Sequence, residues 1–129
     1  MKLVVCFAAA LAEAAADTVS SECGQALRDR ARLITTFESV PAGTDGGVTM
    51  AGCAGGLIGA TLISAACVTV SLLPIRLIWL PAIAGTLGML ADSILGAVFE
   101  RRGALNNDAV NLLSTVIAAA LGAILWKLI

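Results

Sequence analysis

The feature that most constrains the fold is an uncharged, mostly apolar run of about 26 residues, 48–73. A helix of about 20 apolar residues is long enough to cross the hydrocarbon core of a bilayer, where a lipid-exposed backbone must satisfy its own hydrogen bonds. We therefore predict a transmembrane helix here. The pairs Gly52/Gly56 and Gly55/Gly59 are small residues four apart, a spacing that allows close packing against a neighbouring helix.

Three further segments have the composition of membrane spans. The first, at about residues 2–16, is short unless the polar residues after it continue it into a cavity or an interface. A cleaved signal peptide is the alternative, disfavoured because Glu13 lies where cleavage would occur. The third span covers residues 75–99, with Pro81 in its first turn or at a kink, and the fourth covers residues 109–129. The fold class predicted is an all-α, polytopic membrane bundle of about four transmembrane helices.

Composition supports a single integral membrane domain over residues 1–129 and excludes several functional classes. Charged residues make up 13% of the chain, against about 25% in soluble domains. The net charge of −1 and the lack of a basic run argue against a nucleic-acid partner. Histidine is absent, which excludes Ser-His-Asp and Cys-His catalysis. The 4 cysteines form no CxxC pair, and we interpret them as small apolar residues.

Basic residues are divided unevenly between the two ends of the predicted bundle. The connections after the first and third spans contain Arg28, Arg30, Arg32, Arg101 and Arg102. The opposite end contains Lys2, Arg76 and Lys127. Because cytoplasmic loops are enriched in Lys and Arg, we predict that both connections face the cytoplasmic side, in a prokaryotic cell membrane or an organelle membrane. The alternate spacing of the first three arginines favours an extended or loop segment over one helical face.

The end of the first apolar segment contains a polar cluster. Glu13, Asp17, Ser20 or Ser21, and Gly24 share one helical face. Two carboxylates one turn apart, with hydroxyls beside them, suit a hard cation such as Mg²⁺ that carries substrate phosphates. The alternative is a polar helix surface that ends with Asp17 as a cap.

A glycine-rich loop precedes the second span. Its residues Gly43, Thr44, Asp45, Gly46 and Gly47 lead into a helix N-terminus, a natural site for an anion. The loop lacks the GxxxxGK[ST] pattern of a P-loop. It therefore predicts contacts with nucleotide phosphates only weakly, and a plain turn is the alternative.

The third and fourth spans carry the remaining polar groups. Asp92 lies inside an apolar stretch, where a carboxylate costs about 2.5–3.5 kcal/mol on insertion scales, so we expect it to have a function. The alternative is a structural partner, such as Ser93 or an arginine. Asn107, Asp108 and Asn111 surround the start of the last span, more amides and carboxylates than one N-cap needs. Arg101 and Arg102 lie close by in sequence and are able to clamp a phosphate, although membrane anchoring explains them equally well.

Four motifs in this order, ADTVSSECG, RLITTFESVPAGTDGGVTMAG, LADSILGA and LNNDAVNLLST, resemble an integral membrane family. The family contains transmembrane protein 19 and the plant chloroplast phytyl-phosphate kinase of vitamin E synthesis. The resemblance implies transfer of the γ-phosphate of a nucleoside triphosphate to a phytyl, geranylgeranyl or farnesyl monophosphate. A more distant similarity to dolichol kinase and the CDP-lipid cytidylyltransferases suggests CTP or ATP as the donor and Mg²⁺ as the metal. Family chains are longer, so this chain is expected to match the C-terminal part of the family architecture.

The roles of single residues are our own inference from these motifs. The expected catalytic residues are Asp17, Asp92, Arg101 and Arg102. The expected metal ligands are Asp17, Glu22, Asp92 and Asp108. The nucleotide is expected to contact Ser20, Ser21, Gly43, Thr44, Asp45, Gly46, Gly47, Asn107 and Asn111.

The helix over residues 48–73 has two further expected uses. Its Gly-xxx-Gly face offers a surface for a homo-oligomer or a groove for the prenyl tail. Two other functions remain open for the chain. A small membrane transporter would use Asp17 and Asp92 as a midplane site, and a lipid-phosphate-binding membrane protein would bind the same ligands without catalysis.

Overall fold

A computed structural model describes residues 1–27 and 30–129. Four long helices form the molecule: α1 (Lys2–Ala26), α2 (Met50–Thr69), α3 (Trp79–Leu95) and α4 (Asn107–Trp126). A 3-10 turn (Ile75–Leu77) precedes α3 and a π-helical turn (Gly96–Glu100) follows it. Counted with those extensions, all four are long and apolar enough to cross a membrane. The all-α membrane fold is confirmed.

Helix α1 lies at the centre of the bundle and packs against α2, α3 and α4. Its partners approach closely because they place glycines on it. A Cβ added at Gly59 of α2 would lie 3.2 Å from the carbonyl oxygen of Ala15, and one at Gly85 of α3 would lie 2.7 Å from Cβ of Ala12. Small residues at these crossings let the backbones come together.

The glycine face of α2 is therefore used inside the chain. Gly52, Gly55, Gly56 and Gly59 all lie against α1 or the α3 side chain beside it. The predicted close packing is confirmed, with α1 as the partner. The structure corrects one further use we expected of this face, because α1 leaves no groove for a prenyl tail along the four glycines. A homo-oligomer through this helix stays a prediction.

Helix α1 is longer than its apolar segment predicts, since it continues through the polar cluster to Ala26. Two hydroxyls bond to the helix's own backbone: Thr18 Oγ1 donates to the carbonyl of Ala14 and Ser21 Oγ to that of Asp17. Gly24, which is able to end a helix, is instead buried within α1 beside Thr49. The polar residues thereby extend the bundle beyond its apolar part.

A small antiparallel sheet fills the connection between α1 and α2. Its strands β1 (Ala31–Leu33), β2 (Ser39–Val40) and β3 (Gly47–Val48) have the order β2-β1-β3. Arg32 pairs with Ser39 on one side and with Val48 on the other. The two ends of β1 are buried and Arg32 is exposed, as the alternation of a strand requires. The predicted extended segment is thus confirmed at Arg32, whereas Arg28 lies outside the described residues.

The opposite end of the bundle is closed by apolar packing. Val5, Leu77 and Leu80 are buried there in one cluster. Pro81 lies in the first turn of α3, one of its two predicted positions, where a missing N–H costs no helical hydrogen bond. This end contains the connection between α2 and α3, so both polar connections lie together at the other end.

Candidate functional site

A polar cavity of roughly 200 Å³ opens at the end of the bundle where the α1–α2 and α3–α4 connections meet. Every long element except α2 contributes lining residues, and the residue that caps α2, Thr49, also lines it. The lining from α1 comprises Asp17, Ser20, Ser21, Gly24 and Gln25. Apart from Gln25, these are the residues that the helical spacing placed on one face.

The glycine-rich loop forms the second wall of the cavity and is docked on the π-helical turn. Gly46 has a φ of +73°, and a Cβ added there would lie 2.5 Å from the backbone N and Cα of Ala97. Glycine is required because no side chain fits between the two backbones. The loop is held in shape by Thr44, whose Oγ1 donates to the carbonyl of Pro41 at 2.8 Å.

Part of the predicted anion-binding backbone is already occupied. The N–H of Gly47 donates to the carbonyl of Thr44 at 2.8 Å, and the N–H of Thr44 donates to the carbonyl of Pro41 at 3.2 Å. The structure therefore corrects the expected anion site at Gly47, because its N–H is used within the loop. The hydroxyl proton of Thr44 is likewise used within the loop, by the carbonyl of Pro41, so the loop offers a phosphate the N–H groups that remain.

Helix α3 and the turns after it form the third wall. Asp92 and Ser93 line the cavity from α3, Glu100 from the π-helical turn, and Asn107 from the first residue of α4. Asn106 is the N-cap of α4, since its side chain accepts from the N–H of Ala109 at 3.0 Å. Asn107 is therefore not needed as a cap and is free to face the cavity.

Two carboxylates, Asp92 in the cavity lining and Glu13 outside it, accept hydrogen bonds from hydroxyls of α4. Ser114 Oγ donates to Asp92 Oδ2 at 2.9 Å, and Thr115 Oγ1 donates to Glu13 Oε2 at 2.7 Å. Glu13 is only 1% exposed. The charges of Asp92 and Glu13 both act on Asp17. Three carboxylates from α1 and α3 thus form an acidic floor, in which Glu13 is buried and Asp17 and Asp92 are partly exposed.

The structure brings together ten of the residues that the sequence predicted for the site, and these are Asp17, Ser20, Ser21, Gly43, Thr44, Asp45, Gly46, Gly47, Asp92 and Asn107. Five others are exposed and lie outside the lining: Glu22, Arg101, Arg102, Asp108 and Asn111. Their predicted roles as metal ligands, phosphate clamp and nucleotide contact stay predictions.

Sequence reasoning did not assign Glu100, Gln25 or Ala31 to the site, yet all three line the cavity. Glu100 lies eight residues after Asp92, on the same helical face, and that spacing was the signal that could have identified it. Nothing in the local sequence marks Gln25 or Ala31.

The cavity has a strongly acidic lining. It contains the carboxylates of Asp17, Asp45, Asp92 and Glu100, and no lysine or arginine occurs among its described lining residues. Within residues 1–27 and 30–129, no group of three or more His, Cys, Asp or Glu side chains is arranged to hold a metal ion.

Comparisons with known proteins agree on a membrane family. The family model described as "Integral membrane protein DUF92" matches residues 1–119. An uncharacterized membrane protein of Methanocaldococcus jannaschii is 41% identical over 122 residues, which are 93% of this chain and 50% of that relative. Protein PGR of Arabidopsis thaliana is 45% identical over 98 residues, which are 67% of this chain and 34% of the length of PGR.

The chloroplastic protein VTE6 of Arabidopsis thaliana is 32% identical over 117 residues, which are 88% of this chain and 35% of the length of VTE6. The resemblance that the motifs indicated is confirmed. The chain spans about half the length of these relatives or less. No solved structure matches it.

Proposed function

Because the chain belongs to the DUF92 family of integral membrane proteins, we propose that it is a membrane-bound isoprenyl-monophosphate kinase. In this reaction the γ-phosphate of a nucleoside triphosphate, CTP or ATP, is transferred to a prenyl monophosphate to give the prenyl diphosphate. The family resemblance stated above supports the choice of substrate. The site in this chain supports the choice of phosphate chemistry.

The observation that carries the proposal is the acidic cavity at one end of an apolar bundle. Four carboxylates line it, and among the residues that the structure describes no basic side chain does. A phosphate group entering alone would be repelled by these charges. A phosphate-rich ligand is therefore expected to enter together with divalent cations that compensate both sets of negative charge.

The lining fits Mg²⁺. This ion prefers oxygen ligands, keeps several waters and is usually bound through one or two carboxylates plus substrate phosphates, not by an all-protein cage. Asp17 and Asp92 are the carboxylates that we expect to hold it, with Asp45 and Glu100 close by in the cavity lining. When bound, Mg²⁺ supplies neutralisation of the charge on the transferring phosphoryl group.

The chain's own residues bind and orient the two substrates. Ser20 lines the cavity from α1, and Gly43 and Gly46 line it from the loop, where we expect backbone groups to contact a phosphate. The oxygen of a prenyl phosphate that attacks is already anionic, so the reaction needs no general base. Positioning and charge neutralisation account for most of the rate in phosphoryl transfer, which agrees with a site that lacks histidine.

The cavity size indicates which parts of the substrates it holds. Pockets that enclose a drug-sized ligand have volumes of about 300–1,000 Å³, whereas this cavity has roughly 200 Å³. It is therefore suited to phosphate groups. The nucleoside then lies on the aqueous side and the prenyl tail on the lipid-facing surface of the bundle, since α1 fills the glycine face of α2.

The orientation of the chain follows from its charges and is part of the proposal. Arg30, Arg32, Arg101 and Arg102 lie at the cavity end, in the two polar connections. Because basic residues are enriched in cytoplasmic loops, their distribution supports a cavity on the cytoplasmic side, where nucleoside triphosphates are available.

The test is a transfer assay with the purified chain in detergent. Reactions contain Mg²⁺, CTP or ATP labelled at the γ-phosphate, and phytyl, geranylgeranyl or farnesyl monophosphate. Asp92→Asn removes a cavity carboxylate, and Glu38→Gln removes an exposed carboxylate outside the cavity as the matched control. Far-UV circular dichroism and gel filtration establish that each variant is folded.

The proposal predicts labelled prenyl diphosphate from the wild type and Glu38→Gln, and a large loss for Asp92→Asn. Absence of transfer in a folded wild-type chain, for both donors and all three acceptors, would contradict it. Binding of a prenyl phosphate without transfer would instead identify a lipid-phosphate-binding protein, and movement of the lipid phosphate across a vesicle membrane would identify a transporter.

A further inference from the structure

Two consecutive residues of α4 each contact a carboxylate of a different helix. Ser114 Oγ lies 2.9 Å from Asp92 Oδ2 on α3, and Thr115 Oγ1 lies 2.7 Å from Glu13 Oε2 on α1. These side-chain hydrogen bonds join α4 to both helices that supply the acidic floor of the cavity. Neither hydroxyl lines the cavity itself.

Ser114 is fully buried, with 0% of its surface exposed, so its hydroxyl is satisfied by protein acceptors and not by solvent. Among the described residues its hydroxyl also contacts the carbonyl of Asn111, at 3.0 Å on its own helix, and the carboxylate of Glu13. A hydroxyl has one proton to donate. When that proton is donated to Asp92 it orients the carboxylate, and when it is donated to Asn111 it leaves Asp92 unbonded by Ser114.

The bond to Ser114 uses one oxygen of Asp92, Oδ2. Asp92 is itself a lining residue of the cavity. Fixing one carboxylate oxygen against a buried donor fixes the direction of the other oxygen. The carboxylate of Glu13 is constrained in a similar way. Gly88 leaves room for its side chain, and Thr115 Oγ1 donates to its Oε2 at a site that is only 1% exposed to solvent.

From this geometry we infer that Ser114 is a positioning residue. Its hydroxyl holds Asp92 in the orientation in which the free carboxylate oxygen binds the divalent cation that accompanies the substrate phosphates. The inference rests on the proposed function. It predicts an effect on cation affinity, because outer partners of metal ligands typically change metal affinity or activity by about 10–100-fold.

The experiment compares two buried serines. Ser64 is also 0% exposed, and its Oγ donates only to the carbonyl of Ala60 on its own helix, at 2.8 Å. Ser64→Ala therefore reproduces the loss of a buried hydroxyl without touching a carboxylate. Ser114→Cys is a second variant of Ser114, with nearly the original volume and only a weak donor, in case Ser114→Ala does not fold.

The first readout is Mn²⁺ binding, followed by electron paramagnetic resonance in the presence of a non-hydrolysable nucleotide. The second is the Mg²⁺ concentration that gives half-maximal transfer. We expect Ser114→Ala to weaken Mn²⁺ binding and raise the Mg²⁺ requirement by about tenfold or more, with activity recovered at saturating Mg²⁺. Ser114→Cys should act in the same direction, and Ser64→Ala should match the wild type.

The outcomes separate this inference from the proposed function. Equal Mn²⁺ affinities in the wild type, Ser114→Ala and Ser114→Cys, with normal transfer, would overturn the positioning role alone. A similar loss in Ser64→Ala would show that buried packing, not Asp92, is responsible, and would overturn it too. Mn²⁺ binding without any transfer by the wild type would contradict the kinase, while failure of the wild type to bind Mn²⁺ with nucleotide would overturn both.

Discussion

Replacement of Gly46 by alanine tests whether docking of the glycine-rich loop on the π-helical turn creates the site. Gly46 has a φ of +73°, a conformation that costs an L-residue about 1–2 kcal/mol. The added Cβ would also lie 2.5 Å from the backbone N and Cα of Ala97. Both atoms belong to a helical backbone, so they cannot rotate away as the end of a side chain would.

Gly103 provides a matched control within the same chain. Its φ is +70°, so Gly103→Ala carries a similar conformational cost, but nothing lies within 4 Å of the added Cβ. The difference between the two variants is therefore the steric overlap alone. Overpacking of this kind costs about 1–3 kcal/mol, which brings the total for Gly46→Ala to about 2–5 kcal/mol.

This cost destabilises the docked conformation of the loop, because undocking removes the steric overlap with Ala97 without disturbing α1, α3 or α4. A penalty of about 2–5 kcal/mol corresponds to a loss of roughly 30-fold to several thousand-fold in kcat/KM for the nucleotide, at 1.36 kcal/mol for each tenfold. Gly103→Ala should remain within about tenfold of the wild type. Trypsin cleavage after Arg30 and Arg32 reports loop release independently of activity, and it should be faster in Gly46→Ala.

Equal kcat/KM values and equal cleavage rates for Gly46→Ala and Gly103→Ala would refute the reasoning. The loop would then not need to be docked for the site to work. A change in the unfolding rate of the whole bundle in one variant would not affect this conclusion. The two variants are compared with each other, and the two glycines have the same backbone conformation.

The other predictions concern the acidic lining, the helix crossings and the cap of α2. Asp17→Asn and Asp92→Asn should each lower kcat on the order of 100-fold, with an unchanged far-UV spectrum; full activity in either would remove that residue from the site. Gly85→Ala places a Cβ 2.7–2.8 Å from α1 and should destabilise the bundle by about 1–3 kcal/mol in detergent unfolding, whereas Gly122→Ala, with 3.1 Å to its nearest atom, should cost less. Thr49→Ala removes the N-cap of α2 and should cost about 1 kcal/mol, which Thr49→Ser should restore.

The bundle could be predicted from sequence because the length and composition of an apolar run determine what it does in a membrane. The uncharged run at 48–73 contains the observed α2, Met50–Thr69. Its small residues four apart indicated a close helix contact, and the structure has one with α1. Such patterns are local, so no knowledge of the remaining chain is needed to interpret them.

Other parts of the fold depend on tertiary contacts. The strands of the α1–α2 connection have two or three residues each, too few for an alternating pattern to be recognised. The continuation of α1 to Ala26 follows from burial of Ala16 and Gly24 against neighbouring elements. A polar stretch after an apolar one gives no local signal for that packing.

In the site, too, some features follow from local sequence and others depend on tertiary contacts. Helical spacing correctly grouped Asp17, Ser20 and Ser21 on one face of α1. The partners of the buried carboxylates are distant in sequence: Ser114 lies 22 residues from Asp92, and Thr115 lies 102 residues from Glu13. A hydroxyl in an apolar helix is common, so only the packing of α4 on α1 and α3 shows what these two residues bind.

The measurement that tests the central claim most directly is the location of the nucleotide phosphates. A photoreactive nucleotide analogue, linked through its γ-phosphate, is cross-linked to the purified chain with Mg²⁺ or with a chelator, and the labelled peptides are identified by mass spectrometry. We predict label in residues 16–25 and 43–49, lost with the chelator and with excess unlabelled nucleotide. Label that persists without divalent cation, or that falls at the opposite end of the bundle around Arg76 and Trp126, would contradict a cation-dependent phosphate site in the acidic cavity.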